Sequence, residues 1–293
     1  MAAQAEYEAD LIVREASVAD ANSCGLIFYR AFEAIANDHN FPVEPGSPEF
    51  TNYKIGELLE TDGIFGIVAE RNGTIVGSAF VDERASVAGI GPVTVDPTFQ
   101  NAGVGKVLMQ TLLRREHDRN TSGVRLVQTA YHSRSLALYT SLGFTVREPL
   151  SVLQGAITNV GAGLPKVRPA GAHDVEECAA LCIRVHGHDR AAERQEAIRA
   201  GTAVVVERHG SIAGYATGFG YGWHAVGDDN DAIIAMLSSA PMFMGLGVLV
   251  PSRNGELLRW CLQSGMRLVQ QSTLMTTGLY NEPTGAWLPS IVY

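Results

Sequence analysis

Hydrophobic and polar positions in the first half of the chain alternate between the two periods of regular structure. Leu11-Ile12-Val13 reads as a short strand, and Ser17 with Asp20 has the form of a capping box opening a helix through about Ala36. His39 to Pro48, with three prolines, reads as a loop, and a second helix runs to about Glu60. Two apolar runs, Phe65–Glu70 and Thr74–Asp82, flank Asn72-Gly73, a dipeptide suited to the positive φ of a tight turn, so they pair as an antiparallel hairpin. A strand at Ala88–Val95, a helix at Gly103–Asp118, a strand at Val124–Ala130, a helix at Ser133–Ser141 and a strand at Phe144–Arg147 complete an α/β order.

The second half repeats that order in similar words. Val13-Arg14-Glu15-Ala16 with Asp20 matches Val167-Arg168-Pro169-Ala170 with Asp174, and Glu70–Ala79 matches Glu207–Ala216 without a gap. Ser141-Leu142-Gly143-Phe144 matches Gln263-Ser264-Gly265-Met266 more loosely. Because the matches fall in chain order, they predict a duplication, with domains at 1–155 and 166–293 and the glycine-bearing stretch Gly155–Pro165 as the linker.

A length of 293 residues with 46% hydrophobic positions suffices for two cores. The net charge of −9 argues against a general nucleic-acid binder and suits a soluble protein or a cationic substrate. Cys24, Cys178, Cys182 and Cys261 have neither metal-site pairing nor disulfide density and read as core thiols of a reducing compartment. The start of the chain lacks a basic-then-apolar leader, and no run approaches the ~18 apolar residues of a membrane span. A cytoplasmic monomer or homodimer is the expectation, with no nucleic acid and no membrane as partner.

One loop carries chemistry. In VDPTFQNAGVGKVLM, Val95–Met109, a strand gives way to a glycine-bearing turn and a helix start. Such a turn leaves backbone N–H groups facing outward at the positive end of a helix, where they can cradle an anion, and Lys106 adds charge. It is not a P-loop, since Gln100 and Val107 stand where glycine and Ser/Thr are needed, nor a dinucleotide fingerprint, since Leu108 replaces the third glycine. On Gly-Val-Gly alone, an ordinary strand-to-helix turn explains it equally.

Taken with Val93-Thr94-Val95 before it and HSRSLALYTSLGF, His132–Phe144, after it, the loop resembles the GNAT superfamily of acyl-CoA-dependent N-acyltransferases. The resemblance spans about residues 11–155 strongly and 167–293 weakly. It implies two GNAT-like domains, each a mixed, mainly antiparallel sheet flanked by helices. It implies acetyl-CoA as co-substrate, with no metal: Val93, Thr94 and Val95 along pantetheine, and Gln100, Asn101, Ala102, Gly103, Val104, Gly105 and Lys106 on the pyrophosphate. Tyr139 would protonate the departing thiolate, and His132 stands where the family often has asparagine. The resemblance further implies a small-molecule or peptide amine as partner, and an amine near pKa ~10 must lose a proton before attack. Glu83 at a strand end is the first base candidate and Asp82 the reserve. A non-catalytic acyl-CoA sensor is the alternative function.

Elsewhere, His186-Gly187-His188 is half a metal site without partners and reads as surface histidines. Trp223, Trp260 and Trp287 read as packing. In the second copy, Asp228, Asp229 and Asp231 stand where the glycine loop should be, capping a helix and repelling a diphosphate, and Cys261 stands at the tyrosine's place. That copy is expected to bind no CoA. The tail, Leu288–Tyr293, reads as a final strand, or as a segment carrying its carboxylate to the cleft of the first domain.

Overall fold

The structure, a computed structural model, describes residues 11–44, 46–159 and 163–291. Its fold is mixed α/β, and by internal contacts it divides into two compact units. Of the described residues, unit 1 takes those up to 83, 88–124 and 132–143, and unit 2 takes 84–87, 125–131 and those from 144 onward. The units therefore do not follow a linear cut at 155/166, because the strand after Phe144 packs with the later residues.

Unit 1 contains strands β1 (Leu11–Glu15), β2 (Ile64–Arg71), β3 (Thr74–Asp82) and β4 (Val87–Val95), paired antiparallel in that order. The β2–β3 turn is closed by Asn72 and Gly73 at φ 51° and 71°. Helix α1 (Ala21–His39) follows a short 3-10 turn in which Asp20 accepts from both the Ser17 amide (2.7 Å) and hydroxyl (3.0 Å). Helix α2 (Pro48–Glu60) starts with proline at N1, and its Ser47 cap accepts from the Phe50 amide at 3.3 Å. Cys24, Ile55, Val68 and Phe80 form the core under these two helices. Helix α3 (Val104–Asp118) buries Leu108, Met109 and Leu112 and lies so close to β3 that a Cβ on Gly77 would sit 3.2 Å from both Val104 and Leu108. Helix α4 (Ser133–Ser141) completes the unit.

Unit 2 holds β5 (Gly123–Thr129, from Arg125 onward), β6 (Thr145–Gln154) and β7 (Lys166–Pro169), then α5 (Val175–His186), α6 (Ala191–Ala200), β8 (Val204–Arg208), β9 (Ser211–Ala216) and β10 (Ala225–Gly227). Helix α7 (Asn230–Ser239), β11 (Val248–Pro251), α8 (Gly255–Gln263), β12 (Arg267–Gly278) and β13 (Ala286–Leu288) follow. One strand set runs β5-β12-β6-β11, the other β13-β10-β9-β8-β7. β6 is much longer than the expected Phe144–Arg147, because its burial extends to Leu150, Val152 and Leu153 and nine of its residues pair with β12. Along the chain, the order strand, 3-10 turn, two helices, three strands, helix, strand, helix, strand occurs from Leu11 to Gln154, with an added 3-10 turn at Pro97–Phe99, and again from Lys166 to Gly278.

The four cysteines are buried and none is in a disulfide. Trp287 is buried in β13, and Trp260 packs on the core formed by α7, α8 and β11. Part of the Gly155–Pro165 stretch, residues 160–162, lies outside the described residues, as do Val292 and Tyr293 of the tail. The described tail residues give β13 at Ala286–Leu288, earlier than the strand expected at Leu288–Tyr293. No helix among the described residues is long and apolar enough to cross a membrane.

Candidate active site

The loop after β4 is built by short-range hydrogen bonds. The Asp96 carboxylate accepts from the Thr98 amide (2.9 Å) and hydroxyl (2.6 Å), which starts a 3-10 turn at Pro97–Phe99. The Gln100 side-chain amide then reaches back to the Val95 carbonyl at 3.2 Å, tying the loop to the end of β4. Asn101 takes φ +66° and Gly103 φ +83° as N-cap of α3. A Cβ is disfavoured at the latter angle, and the space where it would stand is open to 4 Å. The first intrahelical bond runs from the Val107 amide to the Gly103 carbonyl, so the amides of Val104, Gly105 and Lys106 have no partner within the helix. Two exposed cations border them: Lys106, and Arg134 at the start of α4, whose guanidinium donates to the Asn101 side-chain oxygen at 3.2 Å. Arg134 was not singled out from the sequence, since only the fold brings α4 to the loop.

The strand in front of the loop offers a second set of backbone groups. The Asp96 amide bonds the Val76 carbonyl at 2.9 Å, and Ser78 faces Thr94, which fixes the phase of the β3–β4 ladder. Val93 and Val95 therefore turn their N–H and C=O groups away from β3. Thr94 points its side chain into the core, where its hydroxyl meets that of Ser78 at 3.1 Å. A register shift between Ala79 and Val81 bulges β4 just before Val93.

On α4, Tyr139 is buried, and burial pushes its phenol up to about 12, so it stays protonated through the neutral range. His132 precedes the helix with its Nε2 buried and without a hydrogen-bond partner. Burial, followed by the charges of Arg134 and His39, lowers its pKa to about 4, leaving a neutral imidazole.

The surroundings of Glu83 do not suit the role of base. Its side chain is 7% exposed and receives Arg115 at 2.5 and 3.1 Å and Arg119 at 3.2 Å. Burial alone would raise its pKa, but the hydrogen bonds from Arg115 and Glu116 and the two guanidinium charges outweigh it and hold the carboxyl below its ordinary range. A carboxylate so held anchors α3 and is a poor proton acceptor near neutrality.

In unit 2 the counterpart stretch is different. The Asp228 amide bonds the Ala213 carbonyl at 2.9 Å, as Asp96 bonds Val76, so Ala225 and Gly227 occupy the ladder phase of Val93 and Val95. Their outward edge is taken by β13, with Ala225 facing Leu288 and Gly227 facing Ala286. Asp229 caps α7 by accepting from the Ala232 amide at 3.1 Å, but it is also held by Arg208, and Asp228 by Arg184. Strand β13 was not anticipated there, because three residues of apolar tail carry no signal of where they pair. The His186 and His188 side chains are buried, 3% and 7% exposed, which corrects their reading as surface histidines. Gly187 ends α5 at φ +77° and folds the chain so that both rings turn inward. Among the described residues no group of three or more His, Cys, Asp or Glu side chains could hold a metal ion.

Residues 29–144 match the model of the Acetyltransferase (GNAT) family. No curated protein sequence matches the chain. Among solved structures, a candidate acetyltransferase of Pyrococcus horikoshii aligns with 97% of this chain and 93% of its own at a TM-score of 0.71 and 18% identity. A GCN5-related N-acetyltransferase of Sphaerobacter thermophilus aligns with 93% and 97% at a TM-score of 0.63 and 15% identity. These two structures share the fold over nearly the whole length.

Proposed function

We propose that this protein transfers an acetyl group from acetyl-CoA to an amine by direct attack, using the loop after β4 as its coenzyme site. The observation that carries the reading is the first turn of α3: three amides without helical partners, a glycine cap with open space before it, and two bordering cations. Each amide donating to a phosphate oxygen contributes about 1.5–3 kcal/mol, and the helix end adds to it. Gln100 to Lys106 hold the pyrophosphate. The outward backbone groups of Val93 and Val95 bind the amides of the pantetheine arm, while Thr94 anchors the strand through Ser78. The unpartnered Nε2 of His132 fits a hydrogen bond to the same arm.

The chemistry then needs positioning and two proton movements. The neutral phenol of Tyr139 donates to the thiolate sulfur as the C–S bond breaks. The amine loses its proton to water or to Asp82, since Glu83 is committed to Arg115 and Arg119. The acceptor is a small-molecule or peptide amine. The stretch 166–293 is a second GNAT-like copy whose coenzyme edge is closed by β13.

Release of CoA from acetyl-CoA, followed across small amines, aminoglycosides and peptide N-termini, tests this reading. Turnover with at least one amine, reduced about 10²-fold or more in Tyr139→Phe, supports it. Acetyl-CoA binding without turnover on any amine identifies a sensor instead.

A further inference from the structure

Unit 2 encloses a polar cluster that the coenzyme site does not use. It gathers around the loop between α5 and α6 and the segment that follows β12. Asn281, the chain neighbour of Tyr280, donates to the His186 carbonyl at 3.4 Å, which ties the segment after β12 to the end of α5. The His186 ring stands edge-on to Trp287 at 5.5 Å, and His188 lies 5.9 Å from it. Arg190, 5% exposed, donates to Ser290 at 3.3 Å. The Tyr280 ring has the Arg125 guanidinium 5.3 Å from its centroid and that of Arg147 at 5.0 Å. Arg125 is 1% exposed.

Two features of this cluster ask for a ligand. First, polar atoms are left over: His186 Nδ1 and the Tyr280 hydroxyl are buried without a hydrogen-bond partner. Leaving such a group unsatisfied is costly, so buried polar groups are normally bonded. Second, the nearby carboxylates are engaged. Asp189 binds Arg194, Glu193 binds Arg190, and Glu148 and Glu282 both bind Arg253. The imidazoles are neutral, burial being the main cause. A neutral imidazole and a phenol each offer one N–H or O–H, and a carboxylate, which only accepts, can receive both within a positively charged surround. Tyr280 and Asn281 are only partly buried, so the cluster is not sealed on their side by full burial of every member.

We infer that this cluster is a binding site for a small monocarboxylate, with Tyr280 and His186 as its hydrogen-bond donors and Arg125 and Arg147 as its source of positive charge. The site stands independently of the acetyl transfer proposed above.

Formate, the smallest carboxylate, is the probe, with formamide as its neutral counterpart and chloride at equal ionic strength as the salt control. The full chain is melted in each. Formate should raise Tm above the chloride control while formamide does not, because a ligand of the native state stabilises it by mass action. Tyr280→Phe, which removes only the hydroxyl, should weaken formate about tenfold with an unchanged far-UV circular dichroism spectrum, and His186→Phe should act likewise. Formate indistinguishable from chloride, or full formate affinity in folded Tyr280→Phe, overturns the assignment.

Discussion

Arg14 grips Asp20 through two hydrogen bonds of 2.8 Å and reaches Glu70 at 2.6 Å, and Arg168 grips Asp174 through two bonds of 2.8 Å and reaches Glu207 at 3.0 Å. In both places the arginine leaves the first strand of its segment, and the aspartate closes the turn that starts a helix. The same hydrogen-bonded ion pair, with the same spacing, partner types and helix start, thus occurs in both stretches.

The pairs make a prediction about acid stability. Hydrogen bonds from the arginines, set against burial, hold both aspartates below the ordinary carboxylate range. A depressed folded pKa gives stability that is present above the unfolded value of about 3.9 and is lost as pH falls through the folded one. Asp174→Asn should cost about 1–3 kcal/mol at pH 7, and the gap to the wild type should shrink as pH drops below about 4. Urea unfolding across that range measures it.

Gly103 and Gly105 should respond oppositely to alanine. Gly103 sits at φ +83°, so Gly103→Ala should cost about 1–2 kcal/mol through its backbone alone. Gly105 lies in the helix, and a Cβ there meets Leu138 and Val95 at 3.6 Å, an ordinary contact. Gly105→Ala should gain up to about 1 kcal/mol from helix propensity. Thermal unfolding of the two variants decides the matter, and equal effects would mean that the cap is misplaced.

Much of the fold could be read directly. Asn72-Gly73 marked its hairpin, Ser17 and Asp20 their cap, and Ser133–Ser141 its helix, because each depends on neighbours in sequence. What escaped depends on partners far along the chain. β6 runs to Gln154 because β12 pairs with it, β13 closes the edge of β10, and Arg134 is next to Asn101 only in the folded state. The ion pairs of Glu83 escaped for the same reason: a carboxylate at a strand end reads as solvated until Arg115 and Arg119 are placed around it. The inward turn of His186 and His188 is set by Gly187, a signal present in the sequence but ambiguous between a cap and a surface loop.

Glu83 and Glu116 should divide one pH profile between them. Burial and the neighbouring Glu83 push Glu116 up, against the hydrogen bond from Thr121, so its contribution is full below the unfolded value of about 4.3 and is lost as pH rises through the folded pKa. Glu83, held low, contributes above about 4.3 and loses that as pH falls. Glu116→Gln should therefore match the wild type at pH 5 and equal or exceed it at pH 8. Glu83→Gln should be less stable at both pH values. Denaturant midpoints at pH 5 and 8 give the comparison.

Calorimetric titration of acetyl-CoA into the wild type and into Gly103→Asp tests the placement of the coenzyme most directly. The added carboxylate stands in the open space before the α3 amides, so binding should be lost in the variant while its far-UV spectrum persists, and the wild type should show one site per chain because β13 closes the edge of β10. Undiminished affinity in Gly103→Asp, or two sites per chain in the wild type, would contradict the account.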